Sequence, residues 1–185
     1  WAGQSGHIHM SLQNEQGDPI FHDPKQPHGM SERMRHFVGG QQRLLPEMLA
    51  MVAPTVNSFT RLIPGYWAPT EASWGVDNRT CALRVITGNK KSQRVEFRIG
   101  AADANPHVVL AAALAAGFWG IENRIEPEAP VEGNAYENRF PKRLQLPATL
   151  WEAAQRLKAS KAARDWFGDA FVEHYAATRE WEERE

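Results

Sequence analysis

Two stretches of this chain alternate with a period of two, and their polar positions are not the kind that merely wet a surface. In Arg94-Val95-Glu96-Phe97-Arg98-Ile99, two guanidiniums and one carboxylate share a face opposite Val95, Phe97 and Ile99. In Ser5 to Leu12, His7, His9 and Ser11 share a face opposite Ile8, Met10 and Leu12. Such alternation is the pattern of a half-buried strand. It demands a sheet whose apolar face packs on a core and whose other face looks into a cleft. Thr80 to Ile86 reads as a further strand, joined to Arg94–Ile99 by the turn-like Thr87-Gly88-Asn89-Lys90. Pairing across that hairpin sets Arg84 beside Glu96.

The remaining elements are helices and loops. Asn14 to Gly29 is rich in turn formers and reads as a short hairpin or loop, with Pro19-Ile20-Phe21 as a weak strand. Ser31 is placed to cap a helix carrying the stripe Met34, Phe37, Val38, Leu44, Leu45, Met48, Leu49 and Val52. Gly39-Gly40 and Pro46 interrupt that stripe, which predicts two helical pieces or a kink. Arg61 to Thr70 holds two prolines and a glycine and is a loop with aromatic residues near its middle. Asn105-Pro106 pairs an N-cap with a first-turn proline, and the helix it opens is apolar all round, as a core helix would be. Glu122 to Pro147 carries four prolines and little periodicity, so it is a long loop. The tail is helical, with one stripe at Leu150, Trp151, Ala154 and Leu157. A second stripe, at Phe167, Phe171 and Tyr175, follows Ser160 as a cap, with Gly168 between.

Composition narrows the function classes. Lys and Arg number 21 against 22 Asp and Glu, a net charge of -1, so the basic footprint of a nucleic-acid binder is missing. With 42% hydrophobic and 23% charged residues the chain has a globular composition. The longest strongly apolar run, Val108 to Ile121, is too short to span a bilayer. A single cysteine, Cys81, cannot form an internal disulfide and fits a reducing, cytoplasmic compartment. A chain that opens on Trp1 inside a patterned segment is expected to be part of a longer polypeptide.

The polar faces admit more than one chemistry. His7-x-His9 sends two imidazoles to one side, which suits a divalent metal, but a bare pair of this spacing is more often two surface or cleft histidines. Arg94-x-Glu96-x-Arg98 reads either as a solvated ladder of cross-strand ion pairs or as a site in which Glu96 binds a metal and the arginines hold anions. Spacing alone does not separate the two. Arg61, Arg79, Arg84, Arg94 and Arg98 fall in one block whose only acids are Glu71, Asp77 and Glu96. That local basic excess points to a polyanionic ligand such as a nucleoside triphosphate.

The order of the blocks is informative. Gly3-Gln-Ser-Gly-His7-Ile-His9-Met-Ser11-Leu is followed by Asn57-Ser-Phe-Thr-Arg61-Leu-Ile-Pro-Gly-Tyr66. Then come Asn78-Arg79, Arg84, Arg94-Val-Glu96-Phe-Arg98 and Asn105-Pro106. Together, over residues 3 to 123 and more loosely to the C-terminus, they resemble the C-terminal part of the catalytic domain of the glutamine synthetase family. The resemblance is to the class I type and its glutamate–amine ligase relatives. It implies an α+β fold, with an antiparallel curved sheet lining the active-site cleft and backed by helices. Residues 1–185 would then be the C-terminal portion of that domain, without the N-terminal β domain or the upstream catalytic strands. It also implies an ATP-dependent ligase that joins the γ-carboxylate of glutamate to ammonia or a small amine through a γ-glutamyl phosphate. The same resemblance implies that Mg²⁺ or Mn²⁺ serves the phosphates and that the parent protein is a homo-oligomeric ring.

Carried over position by position, the resemblance makes His7 and Glu96 metal ligands. His9, Ser11, Lys91 and Arg94 become nucleotide contacts, and Arg79 and Arg84 the catalytic arginines at the phosphates. Gly3, Arg61 and Arg98 become contacts of the glutamate substrate. Tyr136 falls where some bacterial members carry an adenylylated tyrosine; its surroundings differ, and it is expected as an exposed loop tyrosine. Where the family usually has a flap glutamate after Pro-Gly-Tyr, this chain has Trp67, which cannot take a proton from ammonium but can stack on an amine or offer cation–π contact. That favours a bulkier or less polar amine than ammonia, unless an acid such as Glu71 takes over. The usual Asp-Pro after Arg98 is replaced by Ala101-Ala102-Asp103. With one His and one Glu for a metal, the 185 residues alone are expected to be inactive. Two rivals remain: a non-catalytic relative that binds ligand without turnover, for which Trp67 is the best support, and a metal-dependent hydrolase built on His-x-His.

Overall fold

The two alternating segments pair with each other. In a computed structural model that describes residues 4–65 and 68–184, four short strands form one sheet: β1 (Ile8–Met10), β2 (Trp74–Val76), β3 (Leu83–Ile86) and β4 (Arg94–Phe97), in the order β1-β4-β3-β2. The expectations placed on Gly3 and Trp67 lie outside the described residues. β4 pairs antiparallel with both neighbours, and the register sets His9 opposite Glu96 and Glu96 opposite Arg84. The same register stacks Met10, Val95 and Val85 on the other face, with Phe97 beside Leu83, all buried. Period two in the sequence therefore becomes one charged face and one core face.

β2 adds parallel to β3, with Gly75 opposite Arg84. Three residues, one of them glycine, leave no alternation to detect, so this strand is not legible in the sequence. Gly75 is required there: a Cβ would sit 2.8 Å from the Val131 carbonyl oxygen and 2.9 Å from Cβ of Asn78.

The core face rests on helices. α1 runs unbroken from Glu32 to Val52, capped by Ser31, whose Oγ accepts from the Met34 amide at 3.1 Å. The expected division at Gly39-Gly40 and Pro46 is absent. Gly40 lies under α3 (Pro106–Glu122), where a Cβ would stand 2.2 Å from the Ala116 carbonyl oxygen and 2.5 Å from Cα of Gly120, and Gly39 lies under the loop after α3, where a Cβ would stand 2.1 Å from the Ile125 carbonyl oxygen. Close helix packing thus outweighs the poor intrinsic propensity of glycine, about 1 kcal/mol per residue. α3 starts as expected, with Asn105 Oδ1 accepting from the His107 amide at 3.0 Å. It is not buried all round. Its Ala112, Ala113, Ala116, Gly117 and Gly120 face is enclosed, while Leu110 and Phe118 stand exposed on the other.

Short α2 (Val56–Phe59) leads into the 60s loop, and the long loop after α3 returns over the sheet edge. Buried Gln42 ties that loop down, donating to the Ala72 carbonyl at 2.9 Å and accepting from the Glu128 amide at 2.8 Å. α4 (Leu150–Ala159), α5 (Lys161–Phe167) and α6 (Asp169–Arg184) complete the chain. Ser160 caps α5 as expected, and its hydroxyl donates to Glu47 at 2.7 Å. Among the described residues no helix is long and apolar enough to cross a membrane.

Candidate active site

Glu96 is the point on which the charged face converges. β4 buries it to 4% exposure, and four side chains surround its carboxylate: His9 from β1, Arg84 from β3, His7 from just before β1 and Arg98 from just after β4. His7 Nδ1 lies 2.9 Å from Oε1 and Arg98 Nη1 donates to the same oxygen at 3.1 Å. Arg84 Nη1 donates to Oε2 at 3.3 Å, and His9 Nε2 stands 3.7 Å from Oε1. Burial alone would raise the Glu96 pKa. The Arg98 charge and the hydrogen bonds from Arg98 and Arg84 outweigh it and hold the carboxyl below its ordinary 4.5.

The histidines are set by their neighbours. Burial, reinforced by Arg98, lowers the His7 pKa despite the pull of Glu96, so the ring is neutral at pH 7 with Nδ1–H directed at Glu96. Its Nε2 faces the Ser5 hydroxyl at 3.4 Å. His9 Nδ1 accepts from Arg94 Nε at 3.2 Å, which leaves its hydrogen on Nε2, toward Glu96. Ser11 follows β1 and Lys91 precedes β4, so both lie exposed at the sheet end where Met10 pairs with Val95.

Arg61 reaches in from the loop after α2 and donates from Nη2 to the Ile99 carbonyl at 3.0 Å. Burial, then the charge of Arg98, lowers its pKa. Two guanidiniums held close together in a partly buried place are a standing invitation to an anion. The Nε groups of Arg61, Arg84 and Arg98 are enclosed and have no hydrogen-bond partner.

Sequence reasoning missed Asp77. It sits just past β2 with a positive φ of 49°, a conformation Asp tolerates better than most residues, and its Oδ1 accepts from Arg84 Nη2 at 3.0 Å. Arg84 is thereby stretched between two carboxylates. The only sequence signal was the turn-forming pair Asp77-Asn78. Arg79 is not joined to the Glu96 cluster by a hydrogen bond or ion pair among the described residues. It is exposed in the next turn and lines, with Asp77, Asn78, His28 and Glu132, a cavity of about 660 Å³ at the sheet edge. Cys81 is buried, and its thiol pKa is pushed up to about 11, so it is no nucleophile. Tyr136 is not the exposed loop tyrosine expected. It is half-buried with its hydroxyl oxygen enclosed, because its short 3₁₀ turn (Ala135–Glu137) is pinned to the sheet edge, where Thr80 Oγ1 accepts from the Ala135 amide at 2.9 Å.

A neutral imidazole beside a carboxylate is a donor set that fits a divalent cation in part. Among the described residues no group of three or more His, Cys, Asp or Glu side chains could enclose one. The hydrolase reading needs such a group, and the remaining histidines do not supply it: His36, for instance, is in α1 and pairs with Glu126 at 3.0 Å.

The sequence profile of the glutamine synthetase catalytic domain matches residues 1–185. A type-1 glutamine synthetase of Dictyostelium discoideum is 44% identical over 187 residues, covering 99% of this chain and 36% of its own length. A glutamate–isopropylamine ligase of a Pseudomonas species is also 44% identical, over 98% of this chain and 40% of its own. Gamma-glutamylputrescine synthetase of Escherichia coli is 36% identical, over 96% of this chain and 37% of its own. The chain thus spans about two fifths of the length of these relatives. A crystal structure described as a novel glutamine synthase homolog superposes with a TM-score of 0.81 at 32% identity, covering 96% of this chain and 41% of that one. Profile, relatives and fold agree with the converging His, Arg and Glu side chains, and on these grounds the chain belongs to the glutamine synthetase family.

Proposed function

We propose that this chain is the C-terminal portion of the catalytic domain of an ATP-dependent ligase. That enzyme joins the γ-carboxylate of glutamate to an amine through a γ-glutamyl phosphate. The observation that carries the reading is the convergence of His7, Arg84 and Arg98 on the buried Glu96 carboxylate. The chemistry asks for fixed cations where phosphate charge develops, and for a rigid frame that costs no reorganisation during reaction. Arg84, clamped by Asp77 and Glu96, meets that demand, and Arg79 stands at the mouth of the adjoining cavity. His7 and Glu96 would hold part of the coordination shell of Mg²⁺ or Mn²⁺, which would neutralise phosphate charge. His9, Ser11, Lys91 and Arg94 would meet the nucleotide, and Arg61, Arg98 and Gly3 the glutamate. Further metal ligands, and a ring of subunits, would come from chain beyond these residues.

The acceptor is an alkylamine in preference to ammonia. In the sequence, Trp67 follows Pro-Gly-Tyr at the position where the family usually carries a flap glutamate, and relatives are named for isopropylamine, ethanolamide and putrescine chemistry. The test is an amine screen, with Trp67→Glu alongside, on the full protein that carries this chain. Phosphate release should depend on ATP, glutamate and an alkylamine, and Trp67→Glu should shift preference toward ammonium. Full ammonium use in the parent, unmoved by the substitution, sinks the alkylamine reading. Binding of ATP and glutamate with no turnover under any amine would instead favour a non-catalytic relative, the second reading that Trp67 supports.

A further inference from the structure

The two carboxylates that hold Arg84 are not equivalent. Glu96 Oε2 accepts from Arg84 Nη1 at 3.3 Å, and Asp77 Oδ1 accepts from Nη2 at 3.0 Å. Glu96 is buried and shared: His7 Nδ1 lies 2.9 Å from its Oε1, and Arg98 Nη1 donates to that oxygen at 3.1 Å. Asp77 stands at the rim with its side chain 52% exposed, and Arg84 is its one ion-pair partner among the described residues. On β2 the residue opposite Arg84 is Gly75, which has no side chain to offer, so the partner on that side comes from two residues further on.

The backbone is bent to bring Asp77 there. Its φ of 49° lies in the left-handed region, which glycine enters freely and most side chains avoid. Such a conformation persists only where the surroundings impose it, and the chain is held on both sides. The Asp77 amide donates to the Val85 carbonyl at 2.9 Å. Its neighbour Asn78 donates from Nδ2 to the Val131 and Gly133 carbonyls at 3.1 and 2.8 Å. Asn78 Oδ1 accepts from the Thr80 amide at 3.0 Å and from the Thr80 hydroxyl at 2.6 Å. Aspartate is the costlier residue at this φ, and what it adds over glycine is the carboxylate that meets Arg84.

We propose that Asp77 is a positioning residue: it fixes the Arg84 guanidinium in the place where that group meets phosphate, a task that the shared Glu96 does not perform alone. This rests on the ligase reading above, in which Arg84 is a catalytic arginine. A carboxylate with a single partner keeps its arginine in one orientation whatever else Glu96 is called on to bind. The position matters because a displacement of about 1 Å costs on the order of a hundredfold in rate.

The test is a double-mutant cycle of Asp77→Gly with Arg84→Lys in the full protein that carries this chain, with Asp77→Asn alongside. Glycine suits the left-handed backbone and removes the acceptor; asparagine suits it and keeps an oxygen to accept from Arg84. Asp77→Gly should lower kcat by about tenfold to a hundredfold with the KM for ATP and for glutamate little changed, and Asp77→Asn should recover most of that loss. In the Arg84→Lys background, Asp77→Gly should cost little more. Melting temperatures of both Asp77 variants should stay within a few degrees of the parent's, since a half-exposed ion pair adds little to stability. Three results overturn the role of Asp77 and leave the ligase reading standing: a kcat unchanged in Asp77→Gly, a loss that asparagine does not recover, or a loss that adds in full to that of Arg84→Lys. An Arg84→Lys protein as active as the parent overturns the role of Arg84 and the proposal with it. A parent that releases no phosphate with ATP, glutamate and any amine overturns the ligase reading as well.

Discussion

At the scale of single residues, the cluster stands on an imbalance of charge. Glu96 is one carboxylate among Arg84, Arg98 and, more distantly, Arg61, with Asp77 the only other acid ion-paired to these arginines among the described residues. Removing one partner of a buried ionic group typically costs about 3–5 kcal/mol, because the others are left uncompensated. Glu96→Ala should therefore lower the urea midpoint of unfolding by an amount of that order, and Glu96→Gln by less, since the amide keeps the hydrogen-bond geometry. The pH dependence has a definite sign. The Glu96 pKa is depressed by folding, so its stabilisation is complete above the ordinary carboxylate value of 4.5 and is lost as pH falls through the lower folded value. The His7 pKa is also depressed, so below its ordinary 6.5 the unfolded chain takes up a proton more readily and stability again falls with acid. Melting temperatures measured from pH 7 downward should decline first through the histidine range and then more steeply below 4.5, and Glu96→Gln should flatten the second decline. Much of this was legible beforehand. Period two alone put Arg84 opposite Glu96. Asp77 and the inward Tyr136 were not legible, because a left-handed backbone at one and a pinned loop at the other depend on contacts remote in sequence.

At the scale of elements, the packing of α1 on α3 decides the architecture. Gly40 and Gly120 let the two backbones approach until a Cβ on either would stand 2.5 Å from the other's Cα, and a Cβ on Gly117 would meet the Phe37 ring at 2.1 Å. Gly40→Ala should destabilise by about 1–3 kcal/mol through overpacking, despite the better helix propensity of alanine. A gain in stability by urea titration would show that the helices can part without cost. Of the two outcomes expected at Gly39-Gly40 and Pro46, two helical pieces or a kink, the first is not what forms: local propensity argues for interruption, and at Gly40 a partner helix that only glycine admits argues the other way. Strand β2 escaped notice for the opposite reason. Its identity comes from pairing with β3 and from Trp74, whose Nε1 donates to the Glu128 carbonyl at 2.6 Å, not from a pattern within its three residues.

At the scale of the whole molecule, the chain folds into a mixed sheet on a helical core. It covers 36% to 40% of relatives whose names are those of glutamine synthetases and glutamate–amine ligases. His7 and Glu96, the two side chains that the proposed reading makes metal donors, meet here, and two are fewer than a hard divalent cation takes; among the described residues no third His, Cys, Asp or Glu joins them in a group that could hold one. The 185 residues by themselves should show no phosphate release dependent on ATP and glutamate above background, and addition of Mg²⁺ should barely move their melting temperature. The α+β architecture and the family were readable because the motif blocks keep their order along the chain. The exposed outer face of α3, with Leu110 and Phe118, was not, since a helix apolar all round reads as buried on every side. The most direct test of the account follows the oxygen atoms. Glutamate carrying heavy oxygen in its γ-carboxylate is incubated with ATP, Mg²⁺ and the preferred alkylamine on the full protein, and the released phosphate is weighed by mass spectrometry. A γ-glutamyl phosphate intermediate transfers one labelled oxygen to each phosphate released, which is the predicted result; phosphate that carries no label would contradict the account.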